Sequence, residues 1–125
     1  MIDQAAGLFR RRIIGAFSYS AQGIRACFHN EEAFRVEVAL AFFLIPIGLW
    51  LGPSGVDKAL LVSSVVLVLI VELLNSAVEC AIDRISSDFS ELAGRAKDQG
   101  SAAVFISMML VLVVWFLVLV YPHIA

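Results

Sequence analysis

The sequence predicts an all-α membrane protein, with an amphipathic surface helix followed by three transmembrane helices. Hydrophobic residues make up 61% of its 125 residues, and its mean hydropathy is +0.92. A soluble domain of this size could not bury so much apolar surface. The apolar residues fall into three runs after a basic amphipathic stretch. We therefore treat residues 1–125 as a single membrane domain.

The N-terminal segment, about residues 5–29, predicts a helix that lies on the membrane surface. Apolar residues recur there at helical spacing, from Phe9 to Phe28. The basic residues lie largely off that face: Arg10, Arg11, Arg12 and Arg25. A basic amphipathic helix beside membrane spans lies in the plane of the lipid headgroups. Asn30 is the predicted N-cap of the helix that follows.

Three spans are predicted, at about residues 36–51, 58–85 and 100–121. A Gly-Pro-Ser-Gly turn separates the first two, and Asp57 is expected to cap the second. Residues 86–99 read as a polar loop, and Pro122 is expected to end the last span.

Basic residues predict the orientation of these spans. All but one of the nine Lys and Arg residues lie in the N-terminal segment or around the second loop, the exception being Lys58. Cytoplasmic loops carry the excess of positive charge, so the N-terminus and second loop are expected inside and the C-terminus outside. The second span then runs from outside to inside.

Four polar residues form a stripe on the second half of that span. Glu72, Asn75, Glu79 and Asp83 fall within about 80° of one another on a helix. Polar groups in a bundle can simply hold helices together, and for Asn75 and Asp83 that interpretation is serious. Three carboxylates on one face repel one another unless a cation or protons intervene, which favours a functional role for Glu72 and Glu79.

The orientation orders the stripe by depth, with Glu72 deepest and Asp83 nearest the cytoplasm. Carboxylates at headgroup level suit Mg²⁺, which takes one or two protein carboxylates plus water and phosphate oxygens. A nearby lysine can neutralise phosphate, and a deeper glutamate can act as a general base. These residues are compatible with phosphoryl transfer to a lipid hydroxyl, but they do not by themselves establish that reaction. Three spans bury an acidic stripe poorly, so we expect a homo-oligomer with sites at protomer boundaries.

Three motifs resemble the bacterial integral-membrane diacylglycerol kinase family. The most specific is Glu-x-Leu-Asn-Ser-Ala-Val-Glu-x-x-Ile-Asp at 72–83. The segment 91–98, continuing into Gly-Ser-Ala-Ala at 100–103, is similar to a second family motif, and 30–37 to a third. The resemblance extends from about Arg12 to Tyr121 with matching spacing between the motifs.

The resemblance implies a homotrimeric lipid kinase of the bacterial inner membrane, which uses ATP and Mg²⁺ to convert diacylglycerol to phosphatidic acid. Glu72 would be the base, Asn75 would support the catalytic glutamates, and Glu31 and Glu79 would hold the metal. The residues implied at the nucleotide are Arg12, Tyr19, Glu31, Glu79, Asp88, Phe89, Ser90, Lys97 and Asp98. Those implied at the lipid are Arg12, Ser20, Arg25, Glu37, Glu72, Ser101 and Trp115. No nucleic-acid partner is expected.

The chain departs from the family pattern at three places, at one of which Phe17 and Ser18 replace smaller residues. Ala21–Gln22 stands where well-known members carry Trp-Lys, and Phe89–Ser90 stands where they carry Tyr-His. Backbone contacts at these positions could survive the change, whereas the side-chain contacts are open.

Three other functions stay open at this point. An undecaprenol kinase resembles the same signature. A small cation or proton channel would need a polar stripe across the whole bilayer, and the first half of the second span offers only Ser63 and Ser64. A membrane scaffold subunit would show neither ATP hydrolysis nor lipid phosphorylation.

Overall fold

The described part of the chain is helical, as the sequence predicts. The computed structural model describes residues 1–85 and 90–125, and within these ranges it contains no strand. The helices are α1 (Ile2–Asn30), α2 (Glu32–Leu51), α3 (Gly55–Ile85) and α4 (Glu91–Trp115). The last of them continues through a π-helical segment, Phe116–Val120, into a final turn, α5 (Tyr121–Ile124).

Three helices are long and apolar enough to cross a membrane: α2, α3 and the continuous helix Glu91–Ile124. The middle one, α3, packs against both of the others. Its inward face carries the small core, in which Leu61, Val65 and Val68 are buried. Most large apolar side chains point away from this core, Phe42, Trp50 and Phe105 among them. Such outward apolar faces suit a lipid environment or a neighbouring protomer, and the protein is a multi-pass membrane protein.

The first helix meets the others only near its end. Among the described residues of α1, Cys27 alone is buried, and the remaining turns are exposed on all sides. This arrangement matches a helix that rests on a surface rather than inside a bundle. Glu31, in an extended conformation, joins α1 to α2.

The junction between α1 and α2 corrects the predicted cap. Asn30 is the last residue of α1, where its amide nitrogen donates to the Ala26 carbonyl at 2.8 Å, and Glu31 occupies the N-cap position of α2. Arg35 reaches back and donates from Nη1 to the carbonyls of Phe28 and His29, each at 2.9 Å. The free carbonyls at the end of α1 are thus satisfied by a cation, which also suits the negative end of the helix dipole.

The turn before α3 is capped by Ser54, and the prediction of Asp57 as the cap was wrong. The Ser54 hydroxyl oxygen accepts from the Asp57 backbone N–H at 3.2 Å and donates to the Asp57 carboxylate at 2.8 Å. Serine at the N-cap with an acid three residues later is a strong helix start. The helix therefore begins at Gly55, three residues before the predicted span.

The predicted polar loop is largely helical where the structure describes it. Residues 86–89 lie outside the described ranges, but α4 already begins at Glu91. The Ser90 hydroxyl caps it by accepting from the Ala93 N–H at 3.1 Å. The polar residues that suggested a loop instead form the first, largely exposed turns of α4. Pro122 did not end the helix, because it lies in the first turn of α5, where no N–H is required.

Candidate active site

Burial decreases along the acidic stripe of α3. Glu72 is buried, with 5% of its surface exposed; Asn75 and Glu79 are half-buried; and Asp83 is exposed. The residues predicted to lie deepest along the helix are thus also the most buried within the protein. A buried carboxylate is costly to keep without a purpose, which singles out Glu72.

The junction residue Glu31 joins this stripe from the side. Its Oε1 accepts a hydrogen bond of 3.2 Å from the Ser76 hydroxyl on α3. The charges of Glu31 and Glu79 both act on the Glu72 carboxylate, so three acids from two parts of the chain share one electrostatic neighbourhood. The sequence places Glu31 at the cytoplasmic level of the stripe, and the structure brings it into contact.

A thiol that the sequence did not single out belongs to the same group. The buried Cys27 side chain lies near Ser76, the residue that also contacts Glu31. Burial raises the pKa of the Cys27 thiol, and the charges of Glu31, Glu72 and Glu37 raise it further, against a lowering by the nearby Ser76 side chain. Cys27 and Cys80 are both free thiols.

A cleft of about 280 Å³ separates α1 from α3 at this level. It adjoins Glu31, the proposed metal ligand. Its polar or sulfur-bearing lining residues are Cys27, Asn30, Glu31, Ser76 and Cys80. Glu31 therefore lines a cleft between α1 and α3.

Asn75 faces α4 at a point of unusually close approach. Its Oδ1 is buried and has no hydrogen-bond partner within residues 1–85 and 90–125. A Cβ added at Gly100 would overlap this oxygen, so any larger residue there would require the Asn75 side chain to shift. The sequence signal was available, since a glycine inside a helix costs stability and often marks a close contact.

Glu37 on α2 is a second buried acid. It is 7% exposed, and neither carboxylate oxygen has a hydrogen-bond partner in the described structure. It lines an otherwise apolar cavity of about 130 Å³ with residues such as Leu44, Val65 and Met108. Its charge and that of Glu72 act on each other. A mostly apolar cavity with a few polar groups is the usual composition of a small-molecule binding site.

Lys97 and Asp83 link the ends of α4 and α3. The Lys97 ammonium donates to Asp83 Oδ1 at 2.8 Å, and the Glu79 charge also acts on it. Asp98 and Ser101, on the neighbouring turn of α4, are exposed. The lysine predicted at the nucleotide therefore lies beside the stripe.

Other predicted residues lie apart from this cluster. Arg12, Tyr19, Ser20 and Arg25 are exposed along α1, and no hydrogen bond or ion pair within the described ranges joins them to the stripe. Trp115 donates from Nε1 to the Leu61 carbonyl at 3.3 Å, about 16 Å along the axis of α3 from Glu72. Asp88 and Phe89 lie outside the described residues, and Ser90 caps α4.

Comparison with known proteins identifies the family. A model of the prokaryotic diacylglycerol kinases matches residues 18–119. The chain belongs to this family. A diacylglycerol kinase of Haemophilus influenzae is 52% identical over 103 residues, which is 82% of this chain and 87% of the relative. One from Escherichia coli is 48% identical over 112 residues, 90% and 91% of the two chains, and one from Pseudomonas aeruginosa is 44% identical over 105 residues, 84% and 85%.

Membership confirms the resemblance drawn from the three motifs. The match covers α2, α3 and α4, most of the π-helical segment, and the C-terminal part of α1. The buried base candidate and both proposed metal ligands therefore lie within the matched range. A kinase of this family needs a nucleotide phosphoryl donor.

The residues present fit Mg²⁺ as part of a nucleotide complex. No group of three or more His, Cys, Asp or Glu residues able to hold a metal occurs within 1–85 and 90–125. Mg²⁺ keeps several waters and uses one or two carboxylates beside phosphate oxygens, so it needs no closed protein cage. Glu31, fixed by Ser76, and Glu79, one residue from the cleft-lining Cys80, supply two carboxylates of the required type.

Proposed function

We propose that this protein is an ATP- and Mg²⁺-dependent diacylglycerol kinase that produces phosphatidic acid. The observation that carries the proposal is the buried Glu72 with the carboxylates of Glu31 and Glu79 acting on it. Relatives named diacylglycerol kinase, at 44–52% identity, support the same reaction.

Glu72 is the general base in this proposal. It takes the proton from the lipid hydroxyl, whose oxygen forms a bond to the terminal phosphorus as the bond to ADP breaks. Its depth favours the role, because diacylglycerol remains in the membrane and presents its hydroxyl near the headgroup level. Asn75, one turn away on the same face, supports the glutamates.

Glu31 and Glu79 hold the magnesium ion, which neutralises charge on the phosphates when it is bound. They lie nearer the cytoplasm than Glu72, so that the nucleotide approaches from water and the lipid from the membrane. Lys97 contributes a positive charge to the phosphates. Catalysis then rests on positioning and charge neutralisation, as is usual for phosphoryl transfer.

The remaining proposed contacts follow the family pattern. The further nucleotide contacts are Arg12, Tyr19, Asp88, Phe89, Ser90 and Asp98. The lipid contacts are Arg12, Ser20, Arg25, Glu37, Glu72, Ser101 and Trp115. Glu37 has the clearest support, since its carboxylate borders an apolar cavity.

The proposed assembly is a homotrimer in the bacterial inner membrane, with the N-terminus and second loop in the cytoplasm. The outward apolar side chains and the uneven distribution of Lys and Arg support this arrangement. The exposed contacts predicted along α1 also favour it, because a neighbouring protomer can complete a site that one chain leaves open.

A lipid-kinase assay with labelled ATP tests the function. Purified protein in vesicles should phosphorylate diacylglycerol in the presence of Mg²⁺. Faster turnover on undecaprenol would reassign the substrate. Cation flux without ATP would indicate a channel, and the absence of both ATP hydrolysis and lipid phosphorylation would indicate a scaffold subunit.

A further inference from the structure

The Asp83–Lys97 pair is the one salt bridge among residues 1–85 and 90–125. Its side chains are 66% and 44% exposed, respectively. An exposed ion pair contributes little to stability, because water and salt screen it. Holding α3 to α4 is therefore a weak reason for this contact, since those helices already pack along their length.

The pair lies beside a proposed metal ligand. Asp83 follows Glu79 by four residues, so the two carboxylates are neighbours on one face of α3. Lys97 contacts Asp83 directly, and the Glu79 charge acts on the same ammonium group. Two carboxylates thus compete for one lysine, and in the structure Asp83 holds it.

We propose that Asp83 is a positioning residue, which holds Lys97 ready for the nucleotide phosphates and keeps it from neutralising Glu79. The inference rests on the proposed function, in which Glu79 holds the metal and Lys97 meets phosphate. An ammonium group has three N–H donors, so Lys97 can give one to Asp83 and another to phosphate. Asp83 itself touches neither substrate.

Removing the Asp83 charge leaves Glu79 as the neighbouring carboxylate for Lys97. An ammonium on Glu79 cancels the charge that attracts Mg²⁺ and moves the lysine away from the phosphates. Affinity for nucleotide and affinity for metal should therefore fall together, while the base Glu72 keeps its place. A contact that only tied two helices would lower stability and leave both affinities unchanged.

The first experiment is Asp83→Asn in the full-length protein, assayed in lipid vesicles with diacylglycerol. The apparent KM for ATP and the Mg²⁺ concentration for half-maximal rate should each rise about two- to fivefold, the range for one exposed ion pair. The kcat at saturation should stay within about twofold, as base and metal ligands are intact. Asp83→Glu should restore most of the loss. Glu91→Gln, which removes an exposed acid from the first turn of α4, is the matched control and should change neither value.

The second experiment asks whether Asp83 acts through Lys97. Binding of a non-hydrolysable ATP analogue is measured for Asp83→Asn, Lys97→Met and the double variant, at several Mg²⁺ concentrations. Lys97→Met should weaken binding, and adding Asp83→Asn should cost nothing further, because no lysine remains to be held. Additive losses would overturn the inference, as would unchanged affinities in Asp83→Asn.

The two proposals fail in different ways. If Lys97→Met weakens analogue binding and Asp83→Asn does not, the positioning role is wrong and the kinase proposal stands. If Lys97→Met binds the analogue normally, the nucleotide role of Lys97 is wrong and the positioning role falls with it. Should Asp83→Asn fail to fold, Asp83→Ser provides the same loss of charge with a smaller side chain, and the same outcomes apply.

Discussion

At the scale of single residues, the buried Glu72 has the most direct proposed role in the reaction, that of the general base. We predict that Glu72→Gln lowers kcat by about 10²- to 10⁴-fold, the usual loss of one catalytic base. The amide keeps the shape of the side chain, so analogue binding and oligomer size should be retained. Single-turnover kinetics with labelled ATP measure the effect, with Asp3→Asn at the exposed start of α1 as the control. A near-normal rate would remove Glu72 from the role of base.

Gly100 gives a prediction that depends on its missing side chain. In Gly100→Ala the new methyl group would overlap the Asn75 amide oxygen and displace it. We expect kcat to fall by about 10- to 100-fold with little change in KM for ATP, since displacements of about 1 Å near reacting groups have effects of this size. Gly55→Ala is the control, because nothing lies within 4 Å of a Cβ at that position. Equal rates for both variants would contradict the close contact.

At the scale of helices, side-chain caps set the boundaries more than polarity does. The sequence predicted the existence of each helix, because long apolar runs leave little choice in a membrane. Its errors lie at the ends. Asn30 is a residue type that often caps helices, but Glu31 occupies the N-cap position of α2. Ser54 and Ser90 cap helices that begin earlier than the apolar runs indicate.

For the candidate site too, the sequence predicted some features and missed others. Residues on one helix, such as Glu72 and Glu79, could be grouped from their spacing. The contacts of Cys27 with Ser76 and of Gly100 with Asn75 join different helices, and their register follows only from packing. The ion pair of Lys97 with Asp83 depends on how α4 begins, which the sequence placed too late.

Arg35 gives a prediction for the α1–α2 junction. Arg35→Ala removes two hydrogen bonds to the last carbonyls of α1, those of Phe28 and His29. We expect the last turn of α1 to fray, with amide hydrogen exchange there rising several-fold while α3 is unaffected. Exchange followed by mass spectrometry in detergent measures this. Arg84→Ala, an exposed arginine at the end of α3, should leave α1 unchanged; unaltered exchange in Arg35→Ala would show that the cap is dispensable.

At the scale of the whole molecule, three long helices enclose a very small core. Only a few apolar side chains are buried, whereas large ones cover the outer faces. We predict that native mass spectrometry finds a trimer and that rate per protomer falls on dilution in detergent. A fully active monomer would require every site residue to come from one chain, including the exposed residues of α1.

The extended residue between α1 and α2 has a mechanical consequence. A helix of 29 residues is a rigid rod about 44 Å long. Tilting such a rod by about 5° moves its free end by about 4 Å but hardly displaces the point about which it turns. Glu31 stands at that point, tied to Ser76 on the bundle. Tilting of α1, which is predicted to lie on the membrane surface, therefore displaces the Glu31 carboxylate very little.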